Sequence, residues 1–324
     1  MTQPVKSPVG LGKRIWNWLP ARVNRAVKIL VWISLVMQVL LIGTGGAVRL
    51  TASGLGCPTW PNCTDSSFVP TPQLGIYGVI EFTNRMLTGV LVVVVLLMFF
   101  AVLRLRTTRR DLFALAIVQG GLVAVQAVIG GISVLSKLSP QVVGVHFALS
   151  CILVVVATML VWRAFTGVRG GLWAPRWYVI FGWIDAVFVA LTIVLGILTT
   201  GSGPHAGDAL TAKGLAPRNG LNSQVIQTIH SIPAYITFAL AILLLVVAFA
   251  ARDRARWKNT RRVTVAVLIV ELLQIAVGLI QANEGLPVAL VNVHLVLAGI
   301  LVAAVSALLM SLRNPGTFPA DRTL

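Results

Sequence analysis

Eight apolar stretches constrain this chain more than any motif in it: Val27–Val48, Ile76–Leu103, Leu112–Leu135, Gln141–Trp162, Trp177–Thr199, Gln224–Ala250, Val263–Ala282 and Val288–Leu312. A bilayer's hydrocarbon core is about 30 Å thick and an α-helix rises about 1.5 Å per residue, so each stretch is long enough to cross it. Within hydrocarbon every backbone N–H and C=O must be bonded internally, which a helix does. The expected fold is therefore an all-α integral membrane protein with eight transmembrane helices. Composition agrees, with 57% hydrophobic and 11% charged residues and a mean hydropathy of +0.90. The first stretch has no convincing small-residue cleavage site and reads as a retained span, not a signal peptide.

A formal net charge of +17, from 26 Lys and Arg against 9 Asp and Glu, would by itself suggest a nucleic-acid partner. The positions of the basic residues argue otherwise. Six lie between Lys6 and Lys28, Arg104, Arg106, Arg109 and Arg110 follow segment two, and Arg163, Arg169 and Arg176 follow segment four. Arg252, Arg254, Arg256, Lys258, Arg261 and Arg262 follow segment six, and Arg313 and Arg322 lie in the tail. The alternate loops hold only Arg49, Lys137, Lys213 and Arg218, while Arg85 lies inside segment two. Basic residues concentrate on the cytoplasmic side of membrane proteins, so the chain is expected in the cell membrane with both termini in the cytoplasm, with the lipid bilayer as partner and no nucleic acid.

Internal similarity divides the chain. "VQAVIGGISVL" at 125–135 matches "LQIAVGLIQAN" at 273–283, aligning Gln126 with Gln274 and Gly130 with Gly278 at an offset of 148. The same offset carries His146 onto His294, and "LTASG" at 50–54 pairs with "TTGSG" at 199–203 at offset 149. Segment two aligns with segment six at an offset of about 146, bringing Glu81 opposite Gln227 and Asn84 opposite His230. Four spans return a chain to its starting side, so the halves are expected as tandem, pseudo-symmetric four-helix bundles related by an axis along the membrane normal. The expected organisation is a basic cytoplasmic arm (1–26), an N-terminal half (27–164), a cytoplasmic linker (165–176), a C-terminal half (177–312) and a cytoplasmic tail (313–324).

Three of the four histidines, His146, His230 and His294, fall inside segments at similar depth near the external end. A lone intramembrane histidine can serve helix packing, but three at matching depth point to function. His230 and His294 lie on neighbouring segments of the second half, an arrangement suited to two imidazoles on one haem iron, closed to substrates. Zinc or copper would want further ligands, and that half has few. In the first half Asn84 stands where the second has His230, so an iron held by His146 would keep one axial position open or weakly held. Glu81, one helical turn from Asn84, is expected to act there as proton donor or electrostatic stabiliser, or else to pair with Arg85 at i, i+4. Arg85 and Arg49 are candidates to neutralise haem propionates; for Arg49 the alternative is snorkelling to the interface. Asp185 and Glu271 read as helix-packing or proton-relay residues, and His205 as a solvated loop residue. Cys57 and Cys63 share an external loop and are read either as a structural staple or as a redox-active pair. Cys151 stands alone in segment four.

"GGAVRLTASGLGCPTWPNC" at 45–63, "IEFTNR" at 80–85, and the histidines in segments four, six and eight resemble the haem A synthase family over essentially the whole chain. That resemblance implies oxidation of the haem O methyl group to a formyl group, giving haem A for cytochrome oxidase assembly, with haem b as cofactor. It implies His230 and His294 as haem b ligands, His146 as a ligand of substrate haem O, and Glu81 as the catalytic carboxylate. Asn84 departs from the family, whose second helix commonly has histidine there. Cys57 and Cys63 match a cysteine pair found in part of the family, able to form a disulfide. Haem O synthase and a quinol or other electron donor are the implied partners. Two other readings compete: a b-type membrane cytochrome that only relays electrons, and a transporter using Glu81, Asp185 and Glu271 as coupling sites.

Overall fold

The computed structural model describes residues 11–205 and 217–315. The first ten residues of the basic arm, Lys213, and the tail beyond 315 with Arg322 lie outside the described residues. A short helix α1 (Leu11–Trp18) precedes α2 (Arg25–Leu50), α3 (Gly75–Leu103), α4 (Arg110–Leu135) and α5 (Pro140–Thr166). Strand β1 (Arg169–Leu172) leads to α6 (Arg176–Ser202), α7 (Ser223–Ala250), α8 (Arg254–Asn283), α9 (Val288–Ser311) and strand β2 (Arg313–Pro315). Helices α2 to α9 are the eight that are long and apolar enough to cross a membrane.

Local chemistry sets the boundaries. The Asn24 side chain accepts from Val27 N at 3.0 Å to cap α2, and Asn222 accepts from Gln224 N and Val225 N to cap α7. Such caps satisfy amides left without partners in a first turn. Helix α8 begins at Arg254, nine residues before the apolar stretch at Val263, because Asp253 caps it and no glycine or proline interrupts the basic turns. Arg261 in this extension donates to the carbonyls of Ala248, Phe249 and Ala251, closing the C-terminus of α7. Helix α1 and the β1–β2 pairing are additions that apolar length does not reveal. Arg104 donates to the carbonyls of Trp16, Asn17 and Leu19, holding the last turn of α1 and the residue after it against the end of α3.

From α2 onward, helices neighbouring in sequence pack together, α5 on α6 only slightly; α2 also packs on α5, α6 on α9, and α2 and α5 both pack on α9. Lipid is as apolar as leucine, so close approach through small residues governs such contacts more than apolar burial does. A Cβ on Gly43 would lie 2.9 Å from Val296, and one on Gly299 would lie 2.9 Å from Ile42, so α2 and α9 meet at glycine on both sides. Met98, Leu112, Val154 and Leu160 are among the buried core of α2–α5. Tyr178, Leu244, Trp257 and Leu308 are among that of α6–α9. Both cores fill the helices toward their basic ends. The opposite ends enclose a cavity.

Candidate functional site

The cavity holds about 1090 Å³ and runs without interruption from helices α2–α5 to α6–α9. Ligand pockets usually measure about 300–1,000 Å³, so this space suits bulky occupants. Glu81, Asn84, Arg85, Arg49, His146, His230 and His294 all line it. The structure thus brings together every side chain singled out for the two haem sites.

Each histidine sits about two turns into its helix: seventh in α5 (Pro140 to His146), eighth in α7 (Ser223 to His230) and seventh in α9 (Val288 to His294). Each imidazole also lies against a glycine of a neighbouring helix. A Cβ would stand 3.1 Å from the His146 ring at Gly130, 3.0 Å from the His230 ring at Gly196 and 3.3 Å from the His294 ring at Gly278. Gln126 donates to the His146 carbonyl at 3.0 Å and to Ser150 Oγ at 2.6 Å, pinning that turn of α5 to α4. His230 Nδ1 lies 2.9 Å from the Thr192 carbonyl. With the proton on Nδ1 donating there, Nε2 is left as a ligand atom.

The His230 and His294 rings face one another with centroids 6.4 Å apart and planes at 73°. Two metal–imidazole bonds of about 2 Å each, plus the two ring radii, account for that separation. Among the described residues no group of three or more His, Cys, Asp and Glu side chains gathers to hold an ion. A structural zinc site with four protein ligands therefore does not fit. A haem brings its own equatorial nitrogens and asks the protein for axial ligands only; the residues present fit that group.

In the first half the side-chain Oδ1 of Asn84 accepts from Thr44 Oγ1 at 2.7 Å. Glu81 is 5% exposed; its Oε2 accepts from Cys57 N at 2.6 Å, and its Oε1 pairs with Arg85 Nη2 at 2.5 Å. Arg85 also donates to the carbonyls of Cys57, Thr59 and Asn62 at 3.0, 3.0 and 3.1 Å. The ion pair thus doubles as a clasp on loop 57–63, which the Cys57–Cys63 disulfide closes. Trp60 at the loop's tip rests on Gly131, where a Cβ would strike the indole.

Arg49 donates to the carbonyls of His205 and Thr200 at 3.0 and 3.2 Å, joining the end of α2 to the end of α6. His205 is half-buried, not solvated, because its Nε2 meets the Leu286 carbonyl at 2.9 Å. Gly196, Trp60 and Thr192 are site residues that the sequence did not single out. The repeat marks Gly130 and Gly278, but the position equivalent to Gly196 holds Ala47. One expected result follows from the glycine seats. Gly196→Ala pushes the His230 ring off α6, and haem per purified protein, read from the pyridine haemochrome spectrum, falls several-fold while the helical circular dichroism is unchanged.

A sequence profile described as "Cytochrome oxidase assembly protein" matches residues 28–306. The chain belongs to that family. The match begins in the first turn of α2 and ends in α9, so it takes in α3 to α8 whole and most of α2 and α9. Among its relatives, the "Heme A synthase" of Staphylococcus epidermidis is 25% identical over 278 residues, covering 82% of this chain and 88% of the relative. The protein of that name from Halalkalibacterium halodurans is 23% identical over 297 residues, 89% and 98% of the two chains. That from Bacillus pumilus is 35% identical over 121 residues, 36% and 38%.

Proposed function

We propose that this chain is an oxidoreductase that converts haem O to haem A, oxidising one ring methyl group to a formyl group for cytochrome oxidase assembly. The carrying observation is a single cavity that offers a two-histidine site and, joined to it, a one-histidine site beside a buried carboxylate. Relatives printed as "Heme A synthase" support the same reading. In it the helices form two tandem four-helix halves, 27–164 and 177–312, with both termini cytoplasmic and the cavity near the external face of the cell membrane.

His230 and His294 would hold haem b, which would supply electron carriage there. His146 holds substrate haem O from one side, leaving the side of Asn84 weakly ligated. Glu81 moves the proton at its carboxylate, and Arg85 keeps that carboxylate aimed into the cavity. Arg49 and Arg85 are the cations available to propionates. Two successive hydroxylations of the methyl carbon, each taking one oxygen atom from dioxygen while two donor electrons and two protons reduce the other to water, followed by loss of water from the gem-diol, would yield the aldehyde. A quinol or similar donor supplies electrons, and haem O synthase supplies substrate.

Expression in a host that makes haem O, followed by chromatography of the extracted haems, tests the reading. Haem A together with haem B is expected. Haem B with unchanged haem O would sink the proposal in favour of electron relay, and a protein lacking any Soret absorbance would favour a transporter.

A further inference from the structure

In the first half the cavity reaches further toward the basic ends of the helices than His146, Asn84 and Glu81. Gln38 on α2 lines it there. Thr44, whose hydroxyl meets Asn84, is six residues along the same helix from Gln38, about 9 Å of rise. Gln38 is 4% exposed, and its Nε2 has no hydrogen-bond partner among the described residues. The hydroxyls to either side of it on α2 are engaged elsewhere: Ser34 Oγ accepts from Gln119 Nε2 at 2.6 Å, and Thr44 Oγ1 donates to Asn84.

A buried amide in apolar surroundings costs free energy until it is bonded. Packing between helices does not account for this one, because an interhelical glutamine bonds across to its neighbour, as Gln119 does to Ser34 and Gln126 to Ser150. An unmatched amide on a cavity wall therefore points to a partner among the cavity's occupants.

The wall around it suits an apolar group. Leu41, Gly89, Leu91, Val92 and Val123 line this stretch, and a Cβ on Gly89 would meet nothing within 4 Å. The duplication sets the amide apart as well. At offset 149 the second half has Val187, which is 63% exposed and takes no part in the cavity wall. The first half thus has an apolar recess bearing an unmatched amide, and the second half lacks its counterpart.

We propose that Gln38 selects the substrate by hydrogen-bonding the hydroxyl at the root of its long alkyl side chain, the group that distinguishes haem O from haem B, which has a vinyl group there. A glutamine amide has two donors and an acceptor, so the hydroxyl can donate to Oε1 or accept from Nε2. Arg49 lies eleven residues from Gln38 on α2, about 16 Å of rise. Propionates and alkyl chain leave the ring on opposite sides, and the two residues stand at opposite ends of the cavity to receive them. A site built to bond a substrate hydroxyl rejects an analogue lacking it, because its own polar group is then left unpaired. This deepens the haem O reading of the first half and rests on it; haem b, with no such hydroxyl, needs no equivalent of Gln38 in the second.

Competition binding without reductant tests the assignment. The purified protein is mixed with equal amounts of haem O and of haem O dehydrated to remove that hydroxyl, freed of unbound haem by gel filtration, extracted and chromatographed. His146→Ala run in parallel gives the haem retained outside the first-half site. Wild type is expected to retain haem O over the dehydrated form by about tenfold, the worth of one hydrogen bond. Gln38→Met, unbranched and of similar length, and Gln38→Leu are expected to retain the two equally, with unchanged helical circular dichroism. Both variants should still prefer either alkylated haem to haem B, because the alkyl chain itself is untouched. A wild-type ratio near one, or a variant that keeps the wild-type ratio, would overturn the role of Gln38. If wild type retains no more of either alkylated haem than His146→Ala does, the haem O reading of the first half falls, and the assignment of Gln38 falls with it.

Discussion

Replacing Glu81 by glutamine is expected to stop haem A formation while haem stays bound. General acid–base groups contribute about 10²–10⁴-fold to a rate, so the ratio of haem A to haem O in extracts should fall by about a hundredfold or more. The substitution is informative because Glu81 has two jobs. Its Oε2 accepts from Cys57 N, and its Oε1 pairs with Arg85, which holds three further carbonyls of the disulfide loop. Glutamine keeps an acceptor for the Cys57 amide and its bulk, so loop 57–63 stays seated while the ionisable group is lost. Alanine would remove the acceptor and the bulk as well and unseat the Cys57 amide, whereas with either substitution Arg85 keeps its bonds to the loop carbonyls. Extracts of Glu81→Gln in which haem A forms at the wild-type rate would take Glu81 out of the mechanism.

His294→Ala should abolish the low-spin b-type spectrum altogether. One axial bond is lost outright, and the partner His230 lies across a gap of 6.4 Å between ring centroids that no other described His, Cys, Asp or Glu cluster fills. The ring-sized space left over Gly278 offers a control, because added imidazole should enter it and restore the spectrum, whereas a misfolded protein would not respond. His146→Ala should leave that spectrum intact and instead remove haem O from the extract. A low-spin spectrum that survives His294→Ala would separate His294 from the iron.

Much of this architecture is local in origin and therefore legible in the sequence. The length of an apolar stretch decides whether a helix can span, and all eight stretches correspond to helices. The repeat placed His146 and His294 at one depth because equal spacing along similar helices means equal rise. An i, i+4 spacing made the Glu81–Arg85 pair readable, since helix geometry alone brings those side chains together.

Tertiary structure decided the rest. Sequence spacing says nothing of which helix faces lie opposite one another, and that depends on close approach at glycines such as Gly43 and Gly299. Only packing turns His230 and His294 toward one another, seats the Cys57 amide on Glu81, and takes His205 out of solvent. Only packing joins the spaces of the two halves into one cavity. Spans are specified by each helix's own backbone hydrogen bonding and apolar length, but a site shared by several helices is specified by contacts that no single stretch of sequence contains.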